Sequence, residues 1–514
     1  MTVTAVIKEN TYFDSVSLMS ISTKANKIDG VEQAFVAMAT EMNKGVLKNL
    51  DLLTPELAAA GNGDLMIVAV TADGVATDDV IAQIEDLLTR KAPAGGEAAI
   101  TYRTIASAAA GEPGSNLAIL AVNGAYAARE ARKALENDLH VMMFSDNVTV
   151  EDEIELKTLA HRKGLLMMGP DCGTAIINNV GLCFANAVRP GTIGIVAASG
   201  TGSQEVSVRI HALGGGISQL IGTGGRDLSA EVGGIMMIDG IRALAQDPRT
   251  EAIVLVSKPP APEVEKKVLA EIATAGKPVV VYFIGGSEQA VTAAGGHFAS
   301  SSQDAALQAV RLSAVPDAVV PELDTARVAE VRGELGADQR FVRGLFCGGT
   351  LCDESMYALL DDGEEVFSNI QKNADFVLRA ADASTGHTFL DFGDDEFTNG
   401  RPHPMIDPSL RLERLVREAA DPTVAVIVMD FVLGFGAHED PIGVTLPAIA
   451  EAKRIAADAG RHLEIVGYVL GTDIDTPSLA AQVAALEAAG VTVTRSSTET
   501  GQFARAIIRK DANA

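Results

Sequence analysis

Short apolar runs alternate with stretches of helical periodicity along nearly the whole chain. Four runs fall between residues 191 and 285: IGIVAAS, GGISQLIGTG, EAIVLVSK and PVVVYFIGG. They are continuously apolar, which predicts strands covered on both faces. Helices are predicted from near Thr201, Ile238, Pro262 and Asp304. Strand and helix alternate at crossover length, so the sheet is expected to be parallel and doubly wound. The runs VRGLFCGG, HTFLDFGD, AVIVMDFVLG, LEIVGYVLG and VTVTRSS, again with helices between them, repeat that order after residue 340. The two units read as an architectural duplication rather than a sequence repeat.

The same pattern divides the rest of the chain. Residues 1–95, with TAVIK, QAFVAMAT and DLMIVAVTA, predict a small N-terminal α/β domain, and APAGGEAA at 92–99 reads as a linker. Residues 96–190 predict a Rossmann-like α/β domain with NLAILAVNG and LHVMMFSD as parallel strands. Residues 191–313 and 341–514 are then two further doubly wound α/β domains, and the proline-punctuated 314–340 is a linker with some helix. The fold class is α/β, with several doubly wound parallel-sheet domains.

Charge narrows the function. The formal net charge of −27 disfavours nucleic acid and anionic membranes as partners. An anionic substrate therefore requires a local positive field. The start, MTVTAVIKENTYFDS, lacks the features of a signal peptide, and no run of about 18 apolar residues predicts a membrane span. Cys172, Cys183, Cys347 and Cys352 form no CxxC pair or metal-ligand cluster, as expected of reduced thiols in a cytoplasmic protein.

The turns after the strands carry the candidate chemistry. Ser199, Gly200, Thr201 and Gly202 lie where a strand gives way to a helix. A helix N-terminus presents unpaired N–H groups and partial positive charge, so this turn either holds a phosphate or is an ordinary N-cap. Gly434, Phe435, Gly436 and Ala437 are its expected counterpart, and two such turns face to face would converge on one anion. Arg226 and Arg401 are candidate clamps for a substrate carboxylate, with ion pairing as the alternative. GPDCGT offers Asp171 as a proton carrier, Cys172 as a nucleophile or substrate contact, and Thr174. Other polar strand ends supply Asp227, Lys258, Asp391 and Asp407. His403, between two prolines, is a second candidate proton carrier. His297 sits in a predicted Gly-rich loop, and His438 beside the second Gly turn. Asp394, Asp395 and Glu396 read as a solvated acidic turn, since three consecutive acids cannot all face one ion. No metal site is expected.

These residues together resemble a known superfamily. The third unit resembles the α subunit of succinyl-CoA synthetase, where a strand followed by Ser-Gly-Thr opens a helix that holds the phosphate of a phosphohistidine. GPDCGT is similar to the Gly-Pro-Asn-Cys turn of that subunit. The last unit resembles the ligase domain of the β subunit, where a Gly-Gly turn opens the opposing helix. The likeness spans roughly residues 115–510 and implies that 96–190 is a CoA-binding-like domain and that 191–313 and 341–514 are two flavodoxin-like ligase domains. Within the superfamily DSVSLM, VMMFSDNVTVEDEIELK, MGPDCGT, ASGTGSQE, GGRDLSAEVGGI, VSKPP and GRPHPMIDP read like the FdrA family along nearly the whole chain.

That resemblance implies a subunit of oxamate carbamoyltransferase, acting with other subunits in allantoin and purine catabolism. The reaction joins oxalurate and phosphate with oxamate and carbamoyl phosphate. The chain lacks an ATP-grasp stretch, a Walker A sequence and the CoA-binding glycine turn of the synthetases, and their Gly-His-Ala-Gly appears as Gly-Gly-His-Phe. The expectation is accordingly a carbamoyltransferase that requires neither CoA nor ATP. The alternative is an acid–CoA ligase that uses CoA, ATP, a separate ATP-grasp subunit and a phosphohistidine at His297.

Overall fold

The computed structural model describes residues 2–89, except 10, 12, 14–17, 19, 20, 23, 27, 29, 50, 51, 62 and 73, and residues 101–509, except 380, 381, 399 and 400. The chain forms two units, Met1–Thr101 and Tyr102–Ala514. The linker read at 92–99 lies outside the described residues. No described helix is long and apolar enough to cross a membrane.

The first unit contains an antiparallel sheet of β1 (Thr2–Lys8), β2 (Val31–Met38) and β3 (Leu65–Thr71), with β3 in the middle. Its helices include α1 (Glu41–Asn49), α2 (Pro55–Ala59) and α3 (Thr77–Thr89). The central strand LMIVAVT is buried at every position, which accounts for its unbroken apolar run.

The second unit opens with α4 (Ile105–Gly111), then β4 (Leu117–Leu120), α5 (Gly124–Glu136), β5 (His140–Met143), α6 (Val150–Lys163) and β6 (Met167–Met168). The three strands form a parallel sheet. The next strands, β7 (Thr174–Ile177) and β8 (Val180–Cys183), make an antiparallel hairpin. The sequence reading assigned this stretch to the domain of residues 96–190. The hairpin instead pairs with the edge of the following sheet.

That sheet is built from β9 (Pro190–Ala197), α7 (Gly200–Ala212), β10 (Ile217–Gly222), α8 (Ile235–Gln246), β11 (Ala252–Ser257), α9 (Pro262–Ile272), β12 (Val279–Phe283), α10 (Glu288–Ala293), β13 (His297–Phe298) and α11 (Ser302–Ser313). Its order is β13-β12-β11-β9-β10-β7-β8. The stretch read as a linker carries α12 (Thr325–Glu334), whose Val328 and Val331 join the core of the last module. That module comprises β14 (Phe341–Phe346), α13 (Gly349–Leu360), β15 (Val366–Ser368), β16 (His387–Asp391), α14 (Asp395–Thr398), α15 (Ser409–Ala419), β17 (Val424–Val432), α16 (Leu446–Asp458), β18 (Glu464–Leu470), α17 (Leu479–Ala488), β19 (Thr492–Thr494) and α18 (Ser497–Ile508). Its order is β15-β16-β14-β17-β18-β19. Apart from the antiparallel β7 and β8, both sheets are parallel, and without the added edge strands β7, β8 and β15 they share one strand order. Both therefore place their loops for ligands at the carboxyl ends of β9 and β14.

The two modules clasp each other reciprocally. Glu205 on α7 reaches into the last module, where it accepts hydrogen bonds from the Tyr468 hydroxyl and from the Ser497 N–H at 3.1 Å. Glu354 on α13 reaches the other way and accepts from the Ser302 N–H at 2.8 Å and the Ser302 hydroxyl at 2.8 Å. Tyr282 lies against Glu354 as Tyr468 does against Glu205. Each glutamate is the sixth residue of its helix, and each serine is the first residue of the helix it belongs to. The duplication is thus also written in sequence: SGTGSQE at 199–205 matches GGTLCDE at 348–354 in its Gly-Thr and its Glu. The sequence reading missed this repeat because too few positions are shared.

Candidate functional site

Ser199 caps α7, its hydroxyl accepting from the Gly202 N–H at 3.0 Å. The first N–H groups of any helix have no intrahelical partner, so this cap satisfies one donor and leaves Gly200 and Thr201 facing outward. The turn that faces them is Cys347–Gly348–Gly349–Thr350, at the start of α13. Ser199 and Thr350 share a hydroxyl–hydroxyl hydrogen bond, and the Thr350 N–H donates to the Thr201 hydroxyl at 3.3 Å. Asp430 fixes the approach to α13 by accepting from the Cys347 N–H at 2.7 Å and the Gly348 N–H at 2.9 Å. Arg411 pairs with that buried carboxylate at 2.8 Å. Two helix N-termini therefore meet, and both contribute small hydroxyl side chains to the same place.

The counterpart expected at Gly434–Ala437 is a correction. No helix starts there: the next one, α16, begins at Leu446. The turn packs instead on the segment after β8. The Phe435 N–H donates to the Ala185 carbonyl at 2.8 Å, and Gly434 has φ +110° with a virtual Cβ 2.6 Å from that same carbonyl. Gly434 makes room for that backbone, and Gly436 for the Phe184 ring. His438 is likewise committed locally, accepting from the Asp440 N–H.

Around the paired N-termini stand several charged side chains. Lys258, after β11, lies 3.4 Å from Asp353. Burial lowers the lysine's pKa, but Asp353 and Asp391 outweigh it and hold it above its ordinary value. Asp391 ends β16. Burial pushes its carboxyl up to about 7, Lys258 and the Gly393 N–H oppose the shift, and Asp394 adds to it. A virtual Cβ on Gly349 would sit 2.5 Å from Asp391 Oδ2 and 3.3 Å from Lys258 Nζ, so only glycine admits both to the start of α13. His403 packs on Phe184, with ring centroids 5.6 Å apart. Its Nδ1 accepts from the Met405 N–H, and burial lowers its pKa to about 4, helped by Arg411. The ring is neutral near pH 7, with its proton on Nε2, so it serves as a donor rather than the proton carrier expected from sequence.

The remaining candidates divide. Thr174 borders the site, its hydroxyl 3.7 Å from a virtual Cβ on Gly200. Asp171 keeps contact with solvent. The protein around it, with Asp395 and Asp146, still pushes its pKa to about 6, against Arg226. Arg226 is half exposed and already engaged, pairing with Glu153 at 2.9 Å and donating to the Val148 carbonyl. Arg401 is exposed on the loop after α14, with its N–H bonded to Thr398. Cys172 is a packing residue: it is buried, its thiol is pushed up to about 12 by burial, and it donates to the Thr174 carbonyl. Asp227 is buried in an ion pair with Lys157, and Asp407 accepts from the Ser409 N–H beside α15. His297 is exposed on the edge strand β13 rather than in a loop, with β12 and β11 between it and β9. At about 4.8 Å per strand, that is roughly 14 Å from the strand leading to Ser199.

Three stretches match described families: residues 1–102 an "AllF, heavy metal-associated domain", residues 188–285 a "CoA binding domain" and residues 345–507 a "CoA-ligase". Across 512 residues, 99% of both chains, the sequence is 61% identical to "Uncharacterized protein YahF" of Escherichia coli K12. The chain belongs to the YahF family. A more distant relative, the α subunit of the ADP-forming succinate–CoA ligase of Methanothermobacter thermautotrophicus, is 27% identical over 232 residues, 43% of this chain and 75% of that one. A dinucleotide-forming acetyl-coenzyme A synthetase of Ca. Korarchaeum cryptofilum is 17% identical over 76% of this chain and 82% of its own, with a TM-score of 0.33.

With regions that match the CoA-binding and CoA-ligase families and a distant succinate–CoA ligase relative, this YahF-family chain is succinyl-CoA synthetase-like. The FdrA assignment and carbamoyl transfer are finer than these matches reach. Residues 1–102 contain no cysteine and no histidine, so methionine is the one soft-metal side chain in the stretch that matches the heavy metal-associated domain. Among the described residues of the second unit, Glu334, His462 and Glu464 come within ligand distance of one another. Arg327 already occupies Glu464 there. In the YahF-family site, sequence reasoning missed Gly348, Gly349 and Thr350. Their signal was the Gly-Gly-Thr after VRGLFC, which matches the Ser-Gly-Thr after TIGIVAA.

Proposed function

We propose that this YahF-family chain is an acyl-transfer enzyme whose reaction passes through an acyl phosphate held between the N-termini of α7 and α13. The observation that carries this reading is the meeting of Ser199–Gly200–Thr201 with Gly348–Gly349–Thr350. Backbone donors and helix dipoles stabilise a phosphate there without a net positive chain, which a protein of charge −27 needs. In the acid–CoA ligase form of the reaction, phosphate oxygen attacks the thioester carbon of an acyl-CoA. The C–S bond breaks, acyl phosphate forms, and CoA leaves as the thiol with the proton from phosphate. The superfamily membership favours this form, with an ATP-grasp subunit as its partner.

Carbamoyl transfer between carbamoyl phosphate and a small amide-carboxylate is the second form. The position of His297 favours it, because a phosphohistidine there has no place beside Ser199, and carbamoyl phosphate is an acyl phosphate that needs none. One experiment separates the two. The purified chain is given acetyl-CoA or succinyl-CoA with phosphate, and any acyl phosphate is trapped with hydroxylamine. A parallel sample receives carbamoyl phosphate and oxamate without CoA. Hydroxamate that forms only with both enzyme and phosphate, above the direct reaction of hydroxylamine with the thioester, establishes the CoA ligase form, and oxalurate in the second sample establishes carbamoyl transfer. Labelling of His297 by radioactive ATP in the presence of an ATP-grasp subunit would overturn direct acyl-phosphate chemistry.

A further inference from the structure

Lys258, Asp391 and His403 come from three separate turns, and the geometry brings them around two glycines. Gly349 is one, with Asp391 Oδ2 and Lys258 Nζ both beside its Cα. Gly393 is the other: a virtual Cβ there would sit 2.8 Å from His403 Nε2 and 3.1 Å from Asp391 Oδ1. Asp391 is therefore flanked by an ammonium on one side and an N–H donor on the other, at the mouth of the phosphate cradle. Lys258 keeps nearly half its side chain exposed while paired to Asp353, so it can swing toward an arriving anion.

We infer that these three side chains form the acid–base subsite for the acyl group. Lys258 binds the anionic oxygens of the acyl phosphate, His403 donates to the acyl oxygen, and Asp391 relays the proton of the attacking group. This inference rests on the acyl-phosphate reading above. In the step R–CO–OPO3²⁻ + H–X → R–CO–X + HPO4²⁻, X forms a bond to the acyl carbon and loses its proton to the Asp391 carboxylate. The bond between acyl carbon and bridging oxygen then breaks with its electron pair on phosphate. Asp391 returns the proton to that oxygen, so the enzyme ends as it began. A carboxyl that titrates near neutrality suits both halves of this relay. The titratable groups around it are Lys258, Asp353, Asp394, His403, Cys347 and Cys352.

The test is calorimetry on the full chain with inorganic phosphate for affinity and sulfate for proton linkage. Sulfate has the shape of phosphate but does not itself titrate near neutrality. A dianion arriving beside Asp391 raises the carboxyl's pKa, so wild type is expected to take up protons on binding sulfate near pH 7. Asp391→Asn is expected to bind sulfate without that uptake. Lys258→Met is expected to weaken phosphate binding about tenfold, with Lys258→Arg restoring most of it. Thermal melting of each variant confirms folding, and the arginine variant keeps the lysine arm decisive if the methionine variant unfolds. Normal proton uptake in Asp391→Asn, or unchanged affinity in Lys258→Met, overturns the subsite. If Thr350→Val alone loses affinity, the cradle stands and the subsite falls. If wild type binds neither anion, the cradle fails and the subsite with it.

Discussion

Ser199 and Thr350 lie 151 positions apart in the chain, yet their hydroxyl groups share a hydrogen bond where the first turns of α7 and α13 meet. The contact is possible because two modules of the same strand order pack with those helix ends together. Ser199 caps its own helix and also bonds Thr350 across the junction, and the Thr201 hydroxyl accepts from the Thr350 N–H.

Thr201→Val and Thr350→Val are expected to act alike because they occupy equivalent places in the two modules. Each should weaken phosphate binding by about tenfold with little loss of stability. Calorimetric titration with phosphate checks this. A large effect at Thr201 with none at Thr350 would show that the cradle belongs to one helix.

Gly434→Ala is expected to do the opposite. The residue has φ +110° and backbone 2.6 Å from its virtual Cβ, so an alanine there is both strained and crowded. A stability loss of about 1–3 kcal/mol is expected, with phosphate affinity of the folded protein unchanged. Denaturant unfolding alongside titration separates the two quantities.

The clasp between modules has a pH signature. Burial raises Glu205 to about 7, with Arg209 and the Tyr468 hydroxyl opposing the shift. A carboxyl whose folded pKa lies above its unfolded value holds its proton more tightly in the native state. Its contribution therefore declines as pH rises from the unfolded carboxylate range through about 7. Glu205→Gln should gain stability relative to wild type over that window. Melting temperatures measured at pH 5 and pH 8 would show a difference that grows with pH, and a constant difference would contradict the assignment.

Cys172 should behave as core. With its thiol raised to about 12, alkylation of the native protein is expected to spare it, and labelling should appear only on unfolding. Mass spectrometry of iodoacetamide-treated protein reads this directly.

The parallel modules were legible because their strands are buried on both faces and so read as unbroken apolar runs. Ala252–Ser257, Val279–Phe283 and Val424–Val432 are buried throughout. The β7–β8 hairpin was misplaced because pairing to a sheet edge is a tertiary choice that local pattern does not carry. Ser199–Gly202 was legible as a helix start. Its partner was not, because Gly434–Ala437 carries as many glycines as Gly348–Thr350, and glycine alone does not distinguish a ligand turn from one that admits backbone. The grouping of Lys258 with Asp391 and His403 depends on the close approaches at Gly349 and Gly393, which no spacing in the sequence records.

The most direct measurement is anomalous diffraction from crystals soaked in tungstate, a heavy tetrahedral dianion shaped like phosphate. A peak is expected between the Gly200 and Thr201 N–H groups on one side and the Gly349 N–H on the other, lost in the Thr350→Val variant. A peak only at Arg226 or Arg401, with nothing between the two helix N-termini, would contradict the account.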